Sequence, residues 1–385
     1  MSFFLLIFKS TFRNRLRTIL TAVGVAFAII AFVFLRTVIA AWHTGADAAA
    51  TDRLVVRNKI SLTFSLPLSY VNKVKNQPGV TDIMYENWFG GVYKEPKNFF
   101  AKFAADPEGL LRLYPEIVLS DAEKTAFLGD RQGAIVGEDV AQKFGWKIGD
   151  KLPIEGDIYP GTYEFTIRGI YTTGGKTFDK QTLFFHWKYL DERQSEARKD
   201  QVGIVVIKVA DPAQSTEVAR SIDRLFASSP AETRTESEKA FQLSFLSMAS
   251  AVLAAIQLVS IVVLLILMLI LANTLAMATR ERTTEYAMMR AVGFRPNHIV
   301  RLVIGEGFVI GLTGSVMGVL LAPPVIKQFS DVIAKSASFL PVLSVDWTAV
   351  WMSVSVALAG GMLAAALPAY RAGKMKIVDA LRKVD

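Results

Sequence analysis

The sequence predicts a polytopic α-helical membrane protein with four transmembrane helices and a large extracytoplasmic α+β domain between the first and the second. Three observations predict it. Hydrophobic residues make up 52% of 385 positions and mean hydropathy is +0.34, too apolar for an ordinary soluble chain. Segments 18–41, 240–278, 299–322 and 346–368 are long and nearly free of charge, whereas 42–239 has the mixed composition of a soluble fold. Residues 43–242 carry 26 Lys and Arg against 28 Asp and Glu, a net −2, and the remainder carries 17 against 7, a net +10. A basic excess that hugs the apolar segments favours contact with an anionic cytoplasmic leaflet. It argues against a nucleic-acid binder, whose basic stripe would lie in a soluble domain. With no cysteine and only His43, His186 and His298, neither disulfides, thiolate metal sites nor a histidine cluster is expected.

In residues 1–17, Phe4, Phe8, Phe12 and Leu16 fall four apart with Lys9, Arg13, Arg15 and Arg17 between them, the pattern of an amphipathic helix lying in the interface. The apolar segment that follows continues to 41 with Arg36 able to snorkel outward. A signal peptide has a shorter core and a small-residue cleavage site, so this segment is read as the first transmembrane helix. Within 42–239, Leu66-Pro67 opens a helix ending at Gln77-Pro78-Gly79, and 80–93 reads as extended chain. Residues 99–104, 133–136, 151–154, 163–170, 182–186 and 202–209 read as strands, and 138–144 as a helix. Ser120-Asp121-Ala122-Glu123 has the spacing of a capping box, and Asp211-Pro212 starts a helix reaching about 227.

No charged residue occurs between Lys239 and Arg280. Roughly 40 residues at 1.5 Å each make a helix of about 60 Å, twice the hydrocarbon thickness. The Ser- and Ala-rich start is expected to project outward as a stalk, with 256–278 spanning, so that one helix joins the external domain rigidly to the loop at 279–298. That loop interleaves Arg280, Arg282, Glu285 and Arg290 with Ala287, Met288, Met289 and Val292, then places Gly293 and Pro296 as helix-stop signals. Arg282 and Glu285 at i, i+3 can pair across one turn, leaving the Met and Ala positions as a soft apolar face. Two readings stand side by side: a helix that docks on a partner, and a basic loop that only fixes topology.

The third span, 299–322, carries Gly307, Gly311, Gly314 and Gly318, spacings that let backbones approach closely, either within one subunit or between two. Glu306 lies about one turn from its cytoplasmic end, which favours an interfacial partner such as a nearby arginine over a proton relay. Pro323-Pro324 is expected to break this helix on the outside, and a small extracytoplasmic helix follows within 323–345. The fourth span, 346–368, is anchored by Trp347 and ends at Leu367-Pro368, and the basic tail 369–385 lies inside. Both termini are therefore expected to be cytoplasmic. Gly174-Gly175-Lys176-Thr177 lacks the earlier glycine of a phosphate loop, since position 170 is Ile170, and reads as a surface turn. No catalytic set is apparent, so this chain is expected to be no enzyme.

Three separated pieces carry a family resemblance. The run Arg15-Leu16-Arg17-Thr18-Ile19-Leu20-Thr21-Ala22-Val23-Gly24, the run Arg282-Thr283-Thr284-Glu285 through Arg290-Ala291-Val292-Gly293, and Leu367-Pro368-Ala369 with Ala380-Leu381 together resemble the permease subunits of the MacB/FtsX-like ABC transporter family. Ile377 departs from that pattern, where a proline is common, and the stretch from Gly133 to Asp150 is similar to a segment of the family's periplasmic core domain. The resemblance implies a mechanotransmission permease with no cofactor of its own, ATP and Mg being bound by a partner ATPase. It implies a bacterial inner-membrane location, a cytoplasmic ABC ATPase and a second permease subunit, identical or not, with a periplasmic adaptor in the case of efflux. Arg280, Arg282, Glu285, Met288, Met289, Arg290 and Gly293 are then expected to couple to the ATPase. Efflux or envelope export is the leading reading; lipoprotein extraction and control of a cell-wall hydrolase are alternatives within the family. A membrane receptor is the alternative from another class, and the short tail after Pro368 speaks against it.

Overall fold

A computed structural model describes residues 3–174, 178–248, 250–336 and 345–374. The chain divides into two compact units, one formed by the described residues of 1–41, 250–330 and 343–385, the other by those of 42–249 and 331–342.

The helical unit begins with α1 (Phe3–Thr11) and α2 (Arg15–Ala48), so the amphipathic segment is a nine-residue helix turning at residues 12–14 into the first apolar helix. It continues with α10 (Ser250–Glu281), α11 (Thr283–Ala291), α12 (Pro296–Ser336) and α13 (Trp347–Lys374). Four segments, Arg15–Ala41, Ser250–Glu281, Pro296–Ser330 and Trp347–Lys374, are long and apolar enough to cross a membrane. Two expected helix ends are corrected. Helix α12 runs straight through Pro323 and Pro324 to Ser336, and α13 runs through Pro368 to Lys374. A proline removes its own N–H and leaves one carbonyl a turn earlier without a partner. In a helix of 41 residues the intact bonds on both sides outweigh those two adjacent gaps. The small helix expected within 323–345 is thus, up to Ser336, the continuation of α12, and 337–344 lies outside the described residues.

The second unit is built on a mixed sheet. Its strands, in chain order, are β1 (Arg53–Asn58), β2 (Leu66–Pro67), β3 (Val80–Trp88), β4 (Ala101–Ala105), β5 (Gly133–Gly137), β6 (Lys151–Gly156), β7 (Gly161–Tyr171), β8 (Thr182–His186), β9 (Gln201–Val202), β10 (Ile204–Val209) and β11 (Thr233–Ser237). The helices between them are α3 (Ser69–Lys75), α4 (Pro107–Leu113), α5 (Asp121–Gly129), α6 (Glu138–Phe144), α7 (Trp187–Asp191) and α8 (Ser215–Leu225), with α9 (Glu238–Met248) after the last strand. The main sheet has the order β11-β1-β10-β3-β4-β8-β5-β7-β6, and β2 pairs separately with β9. Among the described residues, only β4–β8 and β5–β7 pair in parallel.

Alternation along β1 and β10 sends Leu54, Val56, Val205 and Ile207 to one face and Val55 and Val206 to the other. Both faces are covered, with α3 and α8 packing Val71, Val74, Val218 and Ile222 on the first and α4 and α5 packing Leu110, Leu113 and Phe127 on the second. Each such side chain removed from water contributes about 1.5–3 kcal/mol. The capping box at Ser120 forms as expected, its hydroxyl accepting from the Glu123 amide at 3.3 Å while Glu123 accepts from the Ser120 amide at 2.8 Å. Leu66-Pro67 is a strand rather than a helix start, and the helix begins only at Ser69; residues 202–209 are divided by Gly203 into β9 and β10.

At the base of β1, Arg53 is buried with its Nε donating to Glu238 Oε2 at 2.7 Å and its Nη1 to the Leu113 carbonyl at 3.0 Å and Glu116 Oε2 at 3.1 Å. The Ala50 amide donates to the same Glu238 oxygen at 3.3 Å. The segment following α2 and the first residue of α9 are thereby fastened to each other and to the end of α4. The stretch expected as one helix over 240–278 is helical throughout its described residues, in α9 up to Met248 and in α10 from Ser250, and residue 249 lies outside the described residues.

Candidate functional site

The charged stretch after α10 forms a separate helix because the α-helical path is interrupted at Arg282, whose backbone sits at φ −100° and ψ 14°. Its end is set by Gly293 at φ +106°, in the left-handed region that favours glycine. The Gly293 amide donates to the Arg290 carbonyl at 3.1 Å and the Phe294 amide to the Met289 carbonyl at 3.0 Å, the bonding pattern of a Schellman motif. Pro296 then opens α12 at a position where its missing N–H costs nothing.

The expected Arg282–Glu285 pair is not made; each residue finds a partner on another element. Arg282 Nη1 donates to Glu306 Oε1 at 2.5 Å and to the Ser10 hydroxyl at 2.8 Å, while Nη2 donates to the Ser10 carbonyl at 2.9 Å. The Ser10 hydroxyl in turn donates to Glu306 Oε1 at 2.5 Å. Side chains of Arg282 and Glu306 are 8% and 4% exposed, so this is a buried, hydrogen-bonded ion pair joining the start of α11 to α12 and α1. Glu306 thus has the arginine partner expected for it. Glu285 accepts a two-pronged pair from Arg13, Nη1 to Oε2 at 2.9 Å and Nη2 to Oε1 at 2.6 Å. Arg17 Nη2 reaches both oxygens of Glu281, at 2.8 and 2.6 Å. These two pairs are exposed and individually worth about 0.2–1 kcal/mol, whereas removing one partner of the buried pair costs about 3–5 kcal/mol. Helix spacing alone favours Arg282 with Glu285; the turn geometry at Arg282 points it into the bundle instead, where the Glu306 charge would otherwise be unpaired.

The remaining residues of the stretch divide by exposure. Met288 is 51% exposed and is joined by Val292 at 83% and by exposed Phe294, with Arg280 also exposed. Met289 and Arg290 are half-buried, and Arg290 Nη1 lies 3.5 Å from the Gly373 carbonyl on α13. Tyr286 and Ala287 are buried beneath the helix. Among the glycines of α12, a Cβ on Gly307 would meet the Gly361 carbonyl at 2.4 Å and one on Gly311 the Ala357 carbonyl at 2.8 Å, both on α13. On Gly314 and Gly318 it would meet Val25 at 2.5 Å and Ile29 at 2.9 Å, both on α2. The four positions therefore serve two different contacts within the chain.

Sequence reasoning missed Ser10, Arg13 and Arg17 as partners of this stretch, having placed the two arginines on the polar side of an interfacial amphipathic helix. One signal was present: Arg13 and Arg17 are four apart, as are Glu281 and Glu285, and the pairs match in antiparallel order. Gly361 was missed as well. The tail signature around Ile377, Ala380 and Leu381, and Gly175, Lys176 and Thr177, lie outside the described residues; Gly174 is in a turn. Among the described residues no cluster of metal-ligating side chains occurs.

Residues 18–225 match the family described as MacB-like periplasmic core domain, and residues 257–377 match FtsX-like permease C-terminal. The chain is 21% identical to an uncharacterized ABC transporter permease of Methanocaldococcus jannaschii, over 97% of this chain and 96% of that protein. It is 24% identical to the macrolide export ATP-binding/permease protein MacB of Bdellovibrio bacteriovorus over 65% of this chain, a match that spans only 38% of that longer protein. It is also 24% identical to the lipoprotein-releasing system transmembrane protein LolC of Neisseria meningitidis serogroup B, over 64% of each chain. The crystal structure of the periplasmic region of MacB from Actinobacillus actinomycetemcomitans aligns with a TM-score of 0.37 at 11% identity, covering 52% of this chain and 94% of that one.

Proposed function

The chain belongs to the MacB/FtsX-like family of ABC transporter permeases, and from that premise we propose that it transmits the ATP-driven motion of a separate cytoplasmic ATPase to its external domain. The observation that carries this reading is α11: a short helix at the end of a long apolar one, capped sharply at Gly293 and leaving Met288, Val292 and Phe294 exposed, as is Arg280 at the end of α10. Methionine fits an apolar groove adaptably, and an exposed arginine supplies a charge that an acidic rim would recognise. Docking falls to Arg280, Met288 and Met289, while Arg282, Glu285, Arg290 and Gly293 hold the helix in its place. In this reading α11 faces the cytoplasm, both termini lie on that side of the cytoplasmic membrane, and the chain pairs with a second permease subunit. ATP and Mg are bound by the ATPase, and this chain binds no cofactor.

Cargo leaves the cytoplasmic membrane on its outer side in this proposal. The macrolide exporter and the lipoprotein-releasing subunit among its relatives favour efflux or envelope export, with a periplasmic adaptor as the partner in the efflux case.

The test replaces Met288 and Val292 with Asp in the full chain, expressed with its own ATPase, and measures how much ATPase co-purifies. Both positions are solvent-exposed, so folding is expected to survive while ATPase recovery collapses. Undiminished recovery would refute docking through α11.

A further inference from the structure

Reading α11 as the docking helix leaves open what it pulls on, and the side chains around it give an answer. Arg282 contributes two bonds to Ser10, one of them to a backbone carbonyl in the last turn of α1. Carbonyls there have no partner inside the helix, and a guanidinium that caps them also complements the negative end of the helix dipole. Arg13 and Arg17, just beyond that end, grip Glu285 and Glu281 on either side of Arg282. The corner between α1 and α2 is sealed by the Thr18 hydroxyl donating to the Thr11 carbonyl at 2.6 Å. On its other side α1 packs against α12 without a spacer, since a Cβ on Gly305 would meet Ile7 at 2.6 Å. Leu5 and Phe8 remain exposed on the face away from these contacts.

Arg282 thus binds the end of α1 directly, Arg13 binds the turn that follows α1 to α11, and Arg17 binds the start of α2 to the end of α10. We infer that α1 is part of the moving body: Arg282, Arg13 and Arg17 are positioning residues that make α1, α11 and the adjoining ends of α10 and α12 travel together. Load taken up by α11 then reaches α12 through Glu306 and the membrane surface through α1, in addition to running directly along α10. The inference rests on the docking role of α11 proposed above.

The sequence contains no cysteine, so introduced thiols can be labelled without background. In the full chain complexed with its ATPase in lipid nanodiscs, spin labels at Leu5→Cys and Thr284→Cys report the α1–α11 distance. Labels at Thr284→Cys and Leu128→Cys report the stroke itself. Adding ATP with vanadate is expected to leave the first distance unchanged and to shift the second. A nucleotide-dependent change in the first distance overturns the inference while leaving the docking role intact. A second distance that never shifts overturns the stroke reading, and the inference with it. Reversing Arg13 and Arg17 to Glu is expected to broaden the α1–α11 distance distribution and weaken the nucleotide-driven shift of the second pair. Adding Glu281→Arg and Glu285→Arg should restore both, and failure to restore a folded, ATPase-bound complex's coupling would count against these pairs as the connection.

Discussion

Replacing Arg53 with Met should loosen the external domain where the ends of its chain segment meet, at β1 and α9. The side chain of Arg53 is 5% exposed and that of its partner Glu238 is 9% exposed, so the substitution leaves a buried carboxylate without its cation. It also frees the Leu113 carbonyl and the second carboxylate at Glu116, which is more open to water. Removal of one member of a buried pair costs about 3–5 kcal/mol. The methionine refills the aliphatic stem and water can reach Glu116, which places the expected loss near the low end, about 3 kcal/mol. In hydrogen exchange of the full chain, that loss appears as a roughly 100-fold fall in protection of the amides of β1 and β10. Arg53→Lys, which keeps the charge but can no longer fork between three acceptors, should fall in between. A loss under about 1 kcal/mol, less than tenfold in protection, would refute the account of Arg53 as the fastening of both chain segments at the domain base.

Further predictions concern pH, packing and coupling. Burial, with Glu238 adding to it, pushes the Glu86 carboxyl up to about 8, so the folded domain holds a proton there that the unfolded chain releases above its ordinary range near 4.5. Its contribution is therefore fully present at pH 4 and lost as pH rises through 8; Glu86→Gln should melt like the parent at pH 4 and higher than it at pH 9. Gly314→Ala would press a methyl into Val25 and is expected to cost about 1–3 kcal/mol in detergent stability, whereas Gly24→Ala, with open space around it, should be nearly neutral. Inserting a flexible Gly-rich linker at Ser250 should abolish the ATP-dependent movement of the external domain while ATPase binding persists; an unchanged movement, read by the label pair at Thr284 and Leu128, would show that rigidity there is not needed.

Periodic and capped segments were legible from sequence, and segments decided by tertiary partners were not. Residues 138–144, 182–186 and the capping box at Ser120 carry their own start and stop chemistry, and they appear at the expected positions. β1 escaped notice because Arg53 and Arg57 break its apolar run; both are buried only because Glu238 and Glu236 meet them from distant sequence. Pro323-Pro324 and Pro368 were read by local rules that hold for short helices, while here long flanking helices carry the chain through. At the candidate site, composition identified α11 and its exposed Met288. It could not reveal that Arg282 is committed to Glu306 and Ser10, because an arginine between Glu281 and Thr283 looks the same whether it faces solvent or a buried carboxylate.

The two adjacent prolines in α12 have a mechanical meaning of their own. A helix resists flexing through its ladder of amide bonds, and at Pro323 and Pro324 two neighbouring rungs are missing, those that would have reached Val319 and Leu320. Bending there stretches no bond that exists. The two prolines lie five and six residues beyond Gly318, the last of the glycines pressed against α2, so the tightly seated part of α12 ends just before the compliant part begins. Torque applied to the seated half would be filtered at that joint, letting the far end of the same helix keep its own orientation while the near end turns.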